Sequence, residues 1–202
     1  MRKLILFFFI LLINCVSAQS YEDTIRENRV KHYAELIDPT SKVLTQEEID
    51  HFEGLSYYEI DTLYRIQTTF TKRKGKRFEM PTSTDRTPIY RRFGYIDFKL
   101  NDSTYRLTVY QNCELKKKKE FKNYLFIPFR DATCQTESYG GGRYIDTETP
   151  KGKTLRIDFN KAYNPYCAYS IRYSCPIPPE ENTLKIAIPA GEKVPVGYHK
   201  DH

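Results

Sequence analysis

The spacing of apolar residues along the chain changes twice. Leu4 to Ile13 is an unbroken apolar run. From there to about residue 53 the apolar positions recur at helical intervals, with Tyr21, Ile25, Tyr33, Leu36 and Ile37 roughly on one face. Pro39 stops that helix. Thr45-Gln-Glu-Glu48 reads as a capping box, in which the Thr oxygen accepts a helix N–H while Glu48 reaches back. Leu44 and Ile49 form its staple, and Gly54 ends this short second helix. Beyond Gly54 the period falls to two. Tyr64, Ile66, Thr68 and Phe70 alternate with polar residues, as do Ile96, Phe98 and Leu100, then Tyr105, Leu107 and Val109. Leu155, Ile157 and Phe159 repeat the pattern, and so do Leu184, Ile186 and Ile188. Alternation of this kind marks half-buried strands. Leu125 to Phe129 and Tyr144 to Asp146 add two more, and Asn101-Asp102 is a hairpin turn. Lys72 to Arg86 is polar and charged, an exposed loop or flexible hairpin.

Seven or more short strands with turn-rich links predict a mainly β fold, an antiparallel β-barrel or sandwich-like domain preceded by one or two N-terminal helices. The helices do not alternate with strands, which argues against a doubly wound sheet. The 17 Tyr and 12 Phe suit pleated surfaces.

The first apolar run changes the compartment. Arg2 and Lys3 precede it, and Val16-Ser17-Ala18 places small residues at −3 and −1 before Gln19. This is the layout of a secretory signal peptide, too short in its core to span a bilayer. Cys15 follows Asn14, where a lipid-anchored chain carries a small residue. The expected organisation is a cleaved signal peptide over 1–18, an N-terminal helical segment over 19–53, and a β domain over 54–202 compact with it. The mature chain is then exported, periplasmic or extracellular, without a transmembrane segment. Loss of Arg2 and Lys3 lowers the formal net charge from +6 to +4. Part of that excess is the single run Lys116 to Lys119, a solvated turn rather than the extended basic face that nucleic acid requires. Nucleic acid is not an expected partner.

Four cysteines survive processing: Cys113, Cys134, Cys167 and Cys175. In an oxidising compartment an even count is read first as disulfides. Spacing allows three pairings and does not choose among them. Cys167 and Cys175 are compatible with a loop-closing disulfide, with packed free thiols, or with a reactive pair. They form one wide pair, whereas a structural zinc site shows two close pairs, so no metal or other cofactor is expected.

Candidate chemistry concentrates between Phe129 and Asn182. Tyr139-Gly-Gly-Gly-Arg-Tyr lets backbone approach a partner closely. No helix opening on Lys-Ser or Lys-Thr follows the glycines, which excludes a nucleotide loop. Arg143 can hold a carboxylate or phosphate with two donors, or pair with a buried acid such as Asp131 or Asp158. Asp158-Phe-Asn-Lys-Ala-Tyr-Asn-Pro carries Asp158, Asn160, Tyr163 and Asn164, whose short polar side chains shape irregular loops. Cys175-Pro-Ile-Pro-Pro then presents Glu181 and Asn182 stiffly. No His falls in this region. His32 and His51 sit on the helices, and His199 and His202 in the tail. A His-assisted nucleophile is therefore not expected. Asp131, Asp146, Asp158 and Glu181 remain as carboxylates that can do acid–base work.

These motifs resemble the bacterial family called domain of unknown function 1684. The resemblance rests on Phe129-Arg-Asp-Ala-Thr, Tyr139-Gly-Gly-Gly-Arg-Tyr, Asp158-Phe-Asn with Ala162-Tyr-Asn-Pro, and Cys175-Pro-Ile-Pro-Pro with Glu181-Asn. Phe52-Glu-Gly-Leu and Ala190-Gly-Glu fit the same pattern, so it covers roughly residues 45 to 197. It implies a bacterial, hence periplasmic or extracellular, protein and no assigned activity. Cys134-Gln135 departs from the family's small polar residue and Gly, which implies a locally added Cys134 that pairs with Cys113 if that residue is also local.

Three readings follow. In the first the motif loops converge on a polar pocket for an unknown small molecule: Arg143 holds an anion, with Tyr139, Tyr163, Asn164 and Asn182 around it. In the second Asp158 or Glu181 serves a hydrolase-like enzyme, with or without a metal. In the third the motifs only brace a chain whose partner is a protein.

Overall fold

The computed structural model describes residues 21–196. The leader, its cleavage site, His199 and His202 lie outside the described residues. Helix α1 spans residues 21–37, and helix α2 is Gln46–Asp50. Seven strands follow: β1 Arg65–Lys72, β2 Arg77–Glu79, β3 Ile89–Leu100, β4 Ser103–Asn112, β5 Tyr124–Phe129, β6 Arg143–Glu148 and β7 Thr154–Asp158. They form an antiparallel half-barrel in the order β6-β5-β4-β3-β1-β7, with β2 hydrogen-bonded to β3. No helix among the described residues is long and apolar enough to cross a membrane.

Local chemistry accounts for the first elements. Thr45 accepts from the Glu48 amide at 3.2 Å, and Glu48 accepts from the Thr45 amide at 2.7 Å, closing the capping box. Tyr21, Ile25 and Leu36 are buried on the inner face of α1, but Tyr33 is turned outward. His32 occupies the inner face instead, 2.9 Å from Glu192.

The period-two strands put their apolar sides into one core. Phe70, Ile96, Phe98, Leu107, Val109, Ile127, Phe129, Ile145, Leu155 and Ile157 fill the concave face. On the opposite face Tyr90, Tyr110, Phe126 and Tyr144 form an aromatic layer with Met80 and Cys175. The sheet is therefore covered on both faces, which explains near-continuous burial in β4 and β5.

Two expectations need correction. The stretch from Lys72 to Arg86 is the hairpin of its two alternatives, with β2 paired to the start of β3, but it is not exposed throughout, since Met80 and Thr82 are buried. Leu184 to Ile188 alternates but is no strand. Leu184 and Ile188 do enter the core. Its backbone, however, is satisfied partly by side chains: the Ile188 amide donates to Asp131 at 2.6 Å and its carbonyl accepts from Arg143 at 2.9 Å. Two backbone bonds hold the rest, from the Leu184 amide to the Arg130 carbonyl at 2.8 Å and from the Ala132 amide to the Ile186 carbonyl at 2.9 Å.

The glycine run has a steric reason at one position. Gly142 has φ +89°, and a Cβ there would lie 2.6 Å from the Phe129 carbonyl and 2.7 Å from Pro178. Gly142→Ala is expected to lose about 1–3 kcal/mol. Gly152→Ala, where a Cβ meets nothing within 4 Å, should be close to neutral in the same urea titration.

Candidate functional site

The two ends of the sheet, β6 and β7, approach each other without pairing. After β7 the chain crosses the seam and makes one antiparallel bridge, Tyr144 with Tyr163, through bonds of 2.9 and 3.1 Å. Beside that bridge the seam stays open as a cleft of about 510 Å³. Ile145 and Asp146 of β6, Arg156, Ile157 and Asp158 of β7, Arg65 of β1, and Lys161 and Tyr163 line it. Tyr21 and Thr24 of α1 complete its wall.

Both carboxylates of the cleft are capped by phenols. Tyr21 lies 3.0 Å from each oxygen of Asp158, and the Asn160 amide donates to Asp158 at 3.1 Å. Tyr124 and Tyr163 donate to the two oxygens of Asp146 at 2.6 and 2.8 Å. Asp146 has the accessible area of an exposed residue, yet its carboxylate is crowded on the inner side of the cleft. That crowding raises the carboxyl above the usual carboxylate range, and the two hydroxyls pull it part of the way back. Burial and the neighbouring carboxylates push Tyr21, Tyr124 and Tyr163 upward, so all three remain proton donors at neutral pH. The cations are less engaged. The Arg65 guanidinium lies 4.6 Å from the Tyr21 ring centre. Arg65, Arg156 and Lys161 are exposed and make no ion pair among the described residues.

A smaller cavity of about 160 Å³ adjoins it under α1, lined by Arg29, His32, Tyr57, Asn160, Tyr163 and Glu192 among others. Glu192 is buried and takes Tyr57 at 3.2 Å, Tyr169 at 2.6 Å and the Asn164 amide at 2.7 Å. Burial alone would lower the His32 imidazolium; the Glu192 carboxylate outweighs it and holds His32 above its ordinary value.

The motif residues go to different places. Arg143 is fully buried and not open to an anion. Its guanidinium donates to the carbonyls of Ile188, Ala190 and Glu192 and, at 3.2 Å, to Asp131. Its partner is thus Asp131, not Asp158. Asn182 is buried between β4 and β5, where only Tyr110 and Phe126 pair across the two strands. Its side chain accepts from the Thr108 amide at 2.7 Å and donates to the carbonyls of Thr108 and Pro128 at 2.9 and 2.7 Å. Asn160 clamps the Asp61 amide and carbonyl in the same manner at 3.0 and 2.7 Å. Glu181 accepts from Tyr110, and Tyr139 lies 3.8 Å from the Cys167 sulfur. Asn164 donates to the Lys193 carbonyl. Of the eight residues singled out from sequence, Asp158 and Tyr163 line the cleft, and Asn160 lies just behind it.

The sequence does not single out Arg65, Arg156, Lys161, Tyr21 and Glu192 as site residues, although Lys161 and Glu192 fall within its motifs. The first three look like ordinary outward positions of strands or loops. Only the sheet order brings them to one seam. Cys113, Cys134, Cys167 and Cys175 are free thiols in this structure. Cys134 lies against Asp131 and Ser138, and Cys167 against Cys175. Among the described residues no cluster of three or more His, Cys, Asp or Glu could hold a metal.

A family model described as Protein of unknown function (DUF1684) matches residues 50–193. The match starts after α1, which contributes Tyr21 and Thr24 to the cleft. A solution NMR structure of an uncharacterized protein from Haloarcula marismortui is similar at 32% identity and a TM-score of 0.66, over 90% of this chain and 98% of that one. No curated protein matches the chain.

Proposed function

The chain belongs to the family of unknown function DUF1684, and we propose that it is a binding module whose seam cleft takes a small anion bearing hydroxyl groups. The observation that carries this reading is the co-location of three cations without ion pairs among the described residues and two phenol-capped carboxylates in one cleft of about 510 Å³. Arg65, Arg156 and Lys161 suit a phosphate or carboxylate. Asp146 and Asp158 suit hydroxyl donors. The motif residues Arg143, Asn160 and Asn182 hold the walls in place and do not face the ligand. The reading also takes the chain as exported and mature from about Gln19, with Cys167 and Cys175 as the pair that oxidises there. The compartment rests on the leader alone.

The test is a thermal-shift titration of residues 19–202 with inorganic phosphate, hexose phosphates, hexuronic acids and neutral hexoses. Ligand at about 100 times Kd stabilises by roughly 2.7 kcal/mol. We expect that response from the hydroxylated anions, a weaker one from phosphate alone, and none from neutral hexoses. The double variant Arg65→Ala, Arg156→Ala should stay folded without ligand, losing only the stacking of Arg65 on Tyr21, because neither residue makes an ion pair among the described residues, and should lose the response. An equal response in that variant would sink the assignment.

One observation favours an acid-chemistry alternative. Asp146, whose carboxyl burial raises, shares the cleft with Asp158, whereas Glu181 is engaged elsewhere with Tyr110. That reading requires turnover of a bound ligand that Asp146→Asn abolishes without weakening binding.

A further inference from the structure

Cys167 sits in a one-turn helix, Tyr166–Ala168, that follows Pro165. Cys175 lies in a segment pinned to Ser83, whose amide donates to the Cys175 carbonyl at 2.9 Å and whose hydroxyl accepts from the Cys175 amide at 3.1 Å. The two cysteines meet at a backbone contact: the Cys167 amide donates to the Cys175 sulfur at 3.3 Å. That contact seats the Cys175 sulfur against the Cys167 backbone, and the two thiols hydrogen-bond each other. Their surroundings differ. Cys175 is buried in the aromatic layer with Met80, Tyr90 and Tyr144, whereas Cys167 is half-buried at the edge of that layer, with the Tyr139 hydroxyl 3.8 Å from its sulfur.

We propose that Cys167 and Cys175 form a thiol–disulfide exchange site, with Cys167 attacking an external organic disulfide and Cys175 resolving the mixed disulfide. The Cys167 thiolate attacks one sulfur of the oxidant, forming a protein–ligand S–S bond and expelling the other half as a thiolate, which takes up a proton. Cys175 then loses its proton to solvent and attacks the Cys167 sulfur. The second half of the oxidant leaves as a thiol, and the 167–175 disulfide remains. Two protein thiols are oxidised and one disulfide is reduced to two thiols.

The polar surroundings agree with that order of attack. The Cys175 thiol, then the Tyr139 and Ser83 hydroxyls, hydrogen-bond the Cys167 sulfur and outweigh its burial, bringing that thiol down to about 7. The same shared proton, together with burial, pushes Cys175 up. Arg86 is the cation facing Cys175, and Tyr144 faces both sulfurs. A thiol held below its ordinary value carries more thiolate at neutral pH than an ordinary thiol does. Its lower intrinsic nucleophilicity gives back part of that advantage.

The experiment uses reduced residues 19–202 and glutathione disulfide, read by intact mass and peptide mapping. The parent should lose two hydrogens and yield a 167–175 crosslinked peptide. Cys175→Ser should instead retain one glutathionyl group on Cys167, and Cys167→Ser should retain none on Cys175. Iodoacetamide should label Cys167 before the other three, with a rate that rises with pH through a midpoint below that of an ordinary thiol. Adducts on Cys113 or Cys134, earlier labelling of Cys175, or no 167–175 crosslink would each overturn the proposal. Circular dichroism of both serine variants separates these outcomes from a folding failure.

Discussion

Replacing Arg143 by methionine is expected to lower folding stability by about 3–5 kcal/mol, the usual effect of removing one partner from a buried ion pair. The guanidinium is wholly buried and has four protein partners: the carbonyls of Ile188, Ala190 and Glu192, and Asp131. Methionine fills much of the volume but leaves Asp131 as an uncompensated buried charge. It also strands three carbonyls in a segment that has no strand ladder to fall back on. The substitution therefore tests whether Arg143 braces the fold. Urea unfolding of Arg143→Met, Asp131→Asn and the double variant forms the measurement. The double variant should be less damaged than the two single losses added together, because the orphaned charge is gone. Arg143→Lys should recover only part of the loss, since one ammonium cannot span partners that the planar fork reaches together. A loss below about 1 kcal/mol in Arg143→Met would show that the guanidinium is incidental, and would return it to the list of ligand-facing residues.

The periodicity of the sequence made most of the scaffold legible because each half-buried strand writes its own alternation. Ile96-x-Phe98-x-Leu100 and Leu155-x-Ile157 need no knowledge of the rest of the chain. The capping box at Thr45 is equally local. What was not legible is whatever depends on who sits beside whom. Leu184 to Ile188 alternates because it packs on the core, but its partners are the backbone of Arg130 and Ala132 and, at Ile188, the side chains of Asp131 and Arg143, all remote in sequence. Strand β2 has a single apolar residue, Phe78, and is a strand only because β3 extends far enough to pair with it. The site shows the same division. Arg143 stood out as a charge beside glycines, yet its burial follows from the inward parity of β6. Arg65 and Arg156 carry no signal of their own; they come together because β7 is the end strand of the half-barrel and β1 lies beside it.

Asn182 is the second residue whose removal should be felt strongly, and it separates bracing from ligand contact by a different route. It stands where β4 and β5 diverge, and its carboxamide serves as a stand-in for a strand residue, accepting from Thr108 N–H and donating to the carbonyls of Thr108 and Pro128. Asn182→Ala leaves three buried backbone groups without partners. At about 1–3 kcal/mol for each unsatisfied group, reduced by any water that enters the hole, the expected loss is about 2–4 kcal/mol. Asn182→Asp is the sharper test. One oxygen keeps the Thr108 N–H, but the other now faces two carbonyl oxygens, an acceptor among acceptors. The introduced carboxyl should therefore hold its proton in the folded protein, with a folded pKa above its unfolded value near 3.9. The unfolded chain gives up that proton first as pH rises, so the stability of Asn182→Asp relative to the parent should fall between pH 4 and pH 7. Urea unfolding of both proteins at about pH 5 and pH 7 reads this directly. A variant that tracks the parent at both pH values would mean that the carboxamide donors do not hold β4 and β5 together, and the bracing role of the Glu181-Asn182 motif would fall with it.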